Sequence, residues 1–448
     1  MKRAQSLVPL VVLTLLVSGL AVPQGGWARS PDAPSDPSAP PPFELGPFLN
    51  IWIGDPVDNT TPAVAYSIHH DEYLVTWQNE RLGWTDIYGR RVGGDGTLRA
   101  HKPIISTQNR WNQEPAMAYT PVQDLYQVVY DYSGPPPNTT SDVKGKFVGW
   151  DLNYLFPEQN IRVEQGTQYN AAVAYNSQWD EFLVVYENWW AGGLRDIAAQ
   201  RIKASTGAFG SWRNIATGQG EWRYAPSVAY NEARNEYLIT YTYSPNATQG
   251  NGDIYGVVAS ANLGTLSGEL AIVNDSYDQQ NSAVAAGLDE YLVAWEDGDP
   301  TTAHYDIFGR RVSGDGQPLG GSGGFYISSP TLARRENPDV AFGGRCGYLV
   351  TWSHAEGGSP GWAPTLQDVY GARVPLGQDK TADGEFAIDN GEGLQSHPAV
   401  SCAPWGRCLV VEQDNYPTTS GNGYQIQGRM ASLVCPFTTF LPLVLRHQ

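Results

Sequence analysis

The stretch Pro62–Tyr66, PAVAY, decides the fold, because the chain returns to it at a steady interval. It recurs as Pro115–Tyr119 (PAMAY), Ala171–Tyr175 (AAVAY), Pro226–Tyr230 (PSVAY), Ser282–Ala286 (SAVAA), Pro338–Phe342 (PDVAF) and Pro398–Cys402 (PAVSC). Start positions 62, 115, 171, 226, 282, 338 and 398 lie 53 to 60 residues apart. Such a period marks a repeat architecture, in which each unit buries its apolar faces by stacking on its neighbours.

Every copy continues in the same way. After a tight turn comes EYLVTW (Glu72–Trp77), matched by LYQVVY (Leu125–Tyr130), EFLVVY (Glu181–Tyr186), EYLITY (Glu236–Tyr241), EYLVAW (Glu290–Trp295), GYLVTW (Gly347–Trp352) and RCLVVE (Arg407–Glu412). These runs are β-branched and aromatic and carry no helical period, so they read as strands apolar on both faces. The third element is DIYGRRV (Asp86–Val92), with counterparts opening at Asp142, Asp196, Asp253, Asp306, Asp368 and Gln425. A turn then leads into a fourth strand, such as Pro103–Ser106 or Phe325–Ser328. Four short antiparallel strands in each of seven units predict an all-β, seven-bladed β-propeller. The last unit ends after its third strand, and Phe43–Gly54 is a strand without a unit. Pairing the two closes the ring and leaves no exposed edge.

The unit PxVAY…EYLVxW…DIYGRRVxxDG resembles a repeat of secreted bacterial β-propeller proteins, over Phe43 to about Cys435. The resemblance implies the propeller fold and assigns no activity, since propellers host binding, scaffolding and unrelated chemistries.

Composition agrees with this class and narrows the function. The 448 residues hold 28 Lys and Arg against 46 Asp and Glu, a formal net charge of −18, with 49 Gly, 32 Pro, 25 Tyr and 15 Trp. An acidic chain without a basic stripe excludes nucleic acid as a partner and an electrostatic grip on a membrane. Met1, Lys2 and Arg3 precede an apolar run from Leu7 to Val22, the pattern of a secretory signal over residues 1–28. No transmembrane span is expected once it is cleaved. Residues 29–42 form a Pro-rich spacer, 43–435 the propeller and 436–448 an apolar tail. That tail resembles short FLPLVLR-type tails of exported bacterial proteins and implies sorting or retention at the surface; a segment packed on the domain is the alternative. The expected location is extracellular or cell-surface, as a monomer. Of four cysteines, Cys402 and Cys408 flank a short hairpin, which leaves Cys346 and Cys435.

Residues that repeat in nearly every unit read as structural. The Asp opening the third strand is expected to accept backbone N–H groups, and the Gly three residues later to allow close approach between blades. Function is expected where units differ, on the face carrying the connection between the second and third strands. That face is predicted to gather Trp84, Trp111, Trp189, Trp190, Trp222, Tyr224, Trp362 and Tyr416, platforms for stacking sugar rings. About half of them are expected only to pin loops. Acidic residues, among them Glu114, Asp131, Glu187 and Glu296, are placed there too, as solvated loop carboxylates. Within Glu296-Asp297-Gly298-Asp299, Asp297 and Asp299 are the candidate Ca²⁺ ligands, although no complete calcium loop is present. Gly320–Gly324 fits GxSxG but lacks the strand–helix context of a nucleophile elbow, and the seven His have no metal-ligand spacing. The reading is a non-catalytic module for a glycan or other extracellular polymer. A glycoside hydrolase or lyase using loop carboxylates, and a protein–protein scaffold of the envelope, are the alternatives.

Overall fold

In a computed structural model the described residues are 43–433, apart from 54–56, 82, 107–109, 135–139, 163–165, 191–192, 246–250, 300–303, 332, 356–365 and 416–422. The proposed signal, spacer and tail, with Trp362, Tyr416 and Cys435, lie outside them, as does the side chain of Asp299. Among the described residues, no helix is long and apolar enough to cross a membrane.

The fold is all-β and built from antiparallel sheets. Unit one shows the plan: Asn59–Ser67, Glu72–Arg81, Trp84–Gly93 and Leu98–Ile105 pair in that order as a meander. Its fourth strand begins earlier than the sequence suggests, whereas that of unit five shrinks to Phe325–Tyr326. In unit seven, Gln395–Cys402, Arg407–Asp414 and Gln425–Leu433 are followed in the sheet by Phe43–Trp52 from the other end of the chain. Neighbouring units touch edge to edge through single parallel pairs such as Thr85↔Trp111, Arg195↔Trp222 and Tyr305↔Arg334.

The second strand explains why both of its faces are apolar. Tyr73, Val75 and Trp77 pack with Leu409, Val411 and Ile426 of unit seven, while Leu74 packs with Tyr126 and Val128 of unit two. Alternate side chains thus enter two different cores, one on each side of the sheet. Every apolar cluster lies between consecutive units, including the one joining unit seven to unit one. Some polar motif residues bond within a unit. Glu72 pairs with Arg91 at 2.8 Å across the second and third strands. The Tyr66, Tyr119, Tyr175 and Tyr230 hydroxyls donate to Asp71, Asp124, Asp180 and Asn235 in the turns five residues on.

The repeated Gly works differently from the expectation. A Cβ at Gly89, Gly309 or Gly371 would strike Ile104, Ile327 or Ile388 at 2.4–2.8 Å, and each Ile belongs to the same unit. The Gly therefore admits a side chain of its own fourth strand; it does not set the approach between units. The third-strand Asp accepts as expected at Asp196, from Gly218 N–H at 3.3 Å. At Asp86 it accepts instead from the Ser106 hydroxyl at 3.1 Å.

Each first strand carries a bulge at one place, between Thr60 and Ala63 in unit one and at the matching step in the others. The bulged residue is left-handed: Thr61, Glu114, Asn170, Ala225, Asn281, Asn337 and His397 have φ of 47–54°. None is Gly, so each costs about 1 kcal/mol of backbone strain. At six of them the N–H donates to a side chain on the preceding unit's second strand, just past its aromatic or, in unit seven, past Glu412. The acceptors are Gln413 (3.0 Å), Asp131 (3.0 Å), Glu187 (2.7 Å), Thr242 (3.1 Å), Glu296 (2.8 Å) and Ser353 (3.1 Å). A hydrogen bond to a buried carboxylate contributes about 1.5–3 kcal/mol, enough to offset the strain.

Two stability measurements test this frame. Replacing Ala225 with Gly keeps the N–H and removes the Cβ penalty, so the protein should gain about 1 kcal/mol in denaturant unfolding; a loss of stability would show the bulge to be unstrained. Glu296, fully buried, has its pKa raised from 4.5 to about 7 chiefly by burial, against the N–H donors it accepts. Its folded pKa exceeds its unfolded one, so its contribution is complete below the unfolded pKa and fades as pH rises through the folded value. Melting scans should therefore show Glu296→Gln losing less stability than the parent between about pH 5 and about pH 8. Parallel curves for the two proteins would contradict it.

Candidate binding site

The seven bulges surround a mouth of about 420 Å³ where the first strands converge. Beside it, a second cavity of about 460 Å³ opens among units three, four and five, lined by Asn170, Glu187, Arg195, Tyr224, Ala225, Asp278, Gln280, Asn281 and Tyr305. It lies on the face that carries the connections between second and third strands, since Trp189 ends one strand opposite Arg195, which starts the next.

Three of the anticipated aromatics meet here, around a residue that was not anticipated. The Arg195 guanidinium carbon lies 4.5 Å from the Trp189 ring centroid, 4.4 Å from that of Trp222 and 5.8 Å from that of Tyr224. Trp189 is 37% exposed and leaves a surface open to a ligand. Trp222 has a second task, because its indole N–H donates to Gly193 O at 2.7 Å and holds the preceding loop. Trp111 repeats this in unit two: it donates to Gly83 O at 3.0 Å and packs against Trp84 with ring centroids 5.2 Å apart. Trp190 turns aside, and its N–H donates to Asp196 at 3.1 Å.

The floor of the cavity is polar. Glu187 is fully buried; its Oε1 accepts from Asn170 Nδ2 at 2.6 Å and from Ala225 N–H at 2.7 Å, while Oε2 makes no hydrogen bond and the Tyr169 hydroxyl lies near enough to interact with the carboxyl group. Burial raises its pKa against the pull of these donors and of Arg195. Asp278 has both oxygens engaged, one by Gly252 N–H at 2.7 Å and the other by the Tyr305 hydroxyl at 3.0 Å. The Tyr224 hydroxyl is pushed up, first by burial and then by nearby carboxylates. The cavity thus offers neutral donors and acceptors, one cation and one carboxyl oxygen without a hydrogen bond, and Trp189 adds a stacking surface beside Arg195.

The picture of solvated acidic loops is corrected here. Asp131, Glu187 and Glu296 sit inside second strands, buried, as acceptors of the bulge amides. They lie there because the second strand runs further toward this face than its apolar core suggests. Asp131 also abuts Glu114, and burial plus the Glu114 charge push its pKa well above the usual carboxylate range. Asp297 points to the other side of its strand, accepts from the Trp295 indole at 3.1 Å and lines a separate cavity of about 430 Å³ with Asp275, Asp306 and Tyr326. Its pKa rises to about 6 through burial, with the Asp275 and Asp306 charges adding. Among the described residues, no group of three or more His, Cys, Asp or Glu has a metal-binding arrangement. Cys402 and Cys408 are disulfide-bonded across their hairpin, and Cys346 is also in a disulfide.

Sequence reasoning missed Arg195, Asp278 and Tyr305. A signal for two of them was present. The position before the third-strand Asp is Thr85, Ser141, Gly252 and Gln367 in four units, but Arg195 and Tyr305 in units three and five. Comparing the repeats column by column singles out both.

No protein-family model matches the chain, and no curated protein matches it either. Solved structures do. The polysaccharide lyase Uly1 aligns with a TM-score of 0.55 at 8% identity, over 87% of this chain and 100% of its own. A protein of unknown function from Dyadobacter fermentans gives 0.53 at 9% identity, over 88% and 100%. The endosialidase of phage phi92 gives 0.51 at 9% identity, over 91% of this chain and 71% of its own. Likeness at such identity concerns the fold alone, and that fold is the β-propeller.

Proposed function

We propose that the chain is an exported, seven-bladed β-propeller that binds an extracellular glycan in the cavity of units three to five and does not cleave it. One observation carries the reading: Trp189, Trp222 and Tyr224 converge on Arg195, which together with Tyr224 lines a polar cavity of a size that suits a sugar residue or two. An exposed indole beside fixed amide, hydroxyl and carboxyl groups is the chemistry that recognises a sugar ring, apolar on its faces and polar at its rim.

The blade count is supported by four strands per repeat and by an apolar layer between every consecutive pair of units, unit seven with unit one included. Phe43–Trp52 serves as the closing strand of the last blade. Export rests on the signal-like residues 1–28 and agrees with the disulfides, which persist in oxidising compartments. The domain plan follows: 29–42 is a spacer, 43–435 the propeller, with Cys346 bonded to Cys435, and 436–448 a tail.

The non-catalytic part of the reading rests on Asp278. Both of its oxygens are occupied, which leaves Glu187 without a second free carboxylate across the cavity. Glu187 itself favours a runner-up, because a buried carboxyl with a raised pKa and an open oxygen has the makings of a general acid.

A screen of the purified protein against soluble polysaccharides, scored for both binding and product release, separates these readings. Binding without release is expected, and Trp189→Ala should weaken it about tenfold while leaving the melting temperature unchanged. Release of products that stops in Glu187→Gln would replace the proposal with the hydrolase or lyase. An unaltered affinity in Trp189→Ala would remove this cavity as the site.

A further inference from the structure

Among the described arginines that are not exposed at the surface, Arg195 is the exception in a strongly acidic chain. Arg201 is paired with Glu181, Arg223 with Glu221 and Glu269, and Arg311 with Glu290 and Asp379. Where no carboxylate is at hand, Arg90 and Arg429 donate to backbone carbonyls. Arg195 has neither kind of partner among the described residues. Its contacts are the three aromatic rings, and its Nε is buried without an acceptor.

An unpaired donor atom inside a protein costs about 1–3 kcal/mol, and a guanidinium is costlier to leave bare than a neutral group. Stacking between two indoles recovers part of this. It also fixes the plane of the fork, so that little side-chain freedom is lost when an acceptor arrives. Glu187 does not fill the role, since its Oε1 is committed to Asn170 and Ala225 and it forms no ion pair with Arg195. Asp278 is committed as well. The fork is pre-set and vacant at the edge of the cavity.

Resting on the glycan reading above, we propose that the ligand is an acidic glycan and that Arg195 receives its oxyanion, a uronate carboxylate or a sulfate ester, with the sugar ring laid on Trp189. Planar bidentate recognition of an oxyanion is the geometry for which a guanidinium is suited and an ammonium is not. The position is peculiar to unit three; the corresponding residues Thr85, Ser141, Gly252, Tyr305 and Gln367 carry no positive charge. Against a protein of net charge −18, a single local cation also selects for one fixed acidic group at that point, and a general attraction to polyanions is ruled out.

The test is calorimetric titration of the intact protein with matched oligosaccharides: a uronan fragment and its carboxyl-reduced form, and a sulfated galactan fragment and its desulfated form. The acidic member of one pair should bind at least about tenfold tighter than its neutral partner, and the pair that responds distinguishes carboxylate from sulfate. Arg195→Gln should cut that preference to within about threefold, and Arg195→Lys should restore only part of it. Equal binding of both members of each pair to the parent protein overturns the oxyanion assignment and leaves the glycan reading standing. No binding by any member overturns both. Because the deciding comparison uses the parent protein, it holds even if a variant is unstable.

Discussion

Everything in this molecule depends on one hydrogen bond made again and again around a ring. A left-handed residue opens each PxVA segment, and at six of the seven its amide is taken by a side chain on the unit before it. There the bond lets a strained, non-glycine bulge persist at the inner edge of the sheet. It also locks those units to their predecessors at the point where the first strands crowd together. Apolar layers supply the bulk of the attraction between units, but they are broad surfaces with similar partners on both sides. The amide bond is directional, and it sets register between units that apolar contact alone would leave loose.

That constraint dictates where charge is buried. Three of the acceptors, Asp131, Glu187 and Glu296, are carboxyls inside the sheet, with pKa values raised by their surroundings. At Glu296 every oxygen is taken up by donors, and the group is purely structural. At Glu187 the same bond is made with one oxygen and the other is left over. The candidate site arises from this surplus: a framework residue with spare capacity, bordered by Trp222 and by an arginine and a tryptophan, Arg195 and Trp189, that the other units lack at those places. Function is grafted onto the frame by changing a few columns of the repeat and leaving the rest alone.

Much of the fold was legible because the repeat obeys simple rules. Apolar residues on both faces of EYLVTW follow from a sheet with a core on each side. The orphan strand Phe43–Trp52 was visible as a missing fourth element. The acids were misplaced, because residues after the last aromatic of a strand read as loop while their burial depends on a bulge in the next unit. The repeated Gly was assigned to the wrong neighbour for a related reason: the Ile it accommodates lies on a strand whose own pattern is weak. Of the aromatics, Trp111 and Trp222 hold loops through their indole N–H groups, a use that composition cannot distinguish from ligand contact. Arg195 is not of the residue types that form sugar platforms, and its significance lies in having no ion-pair or carbonyl partner among the described residues, which only geometry reveals.

The most direct measurement is a crystal structure of the protein grown with an acidic oligosaccharide at saturating concentration. The account predicts a sugar ring stacked on Trp189 with its oxyanion on the Arg195 fork and its hydroxyls among Glu187, Asn170 and Gln280. Density at the mouth of the ring or in the Asp297 cavity, with the space beside Trp189 filled only by solvent, would contradict it.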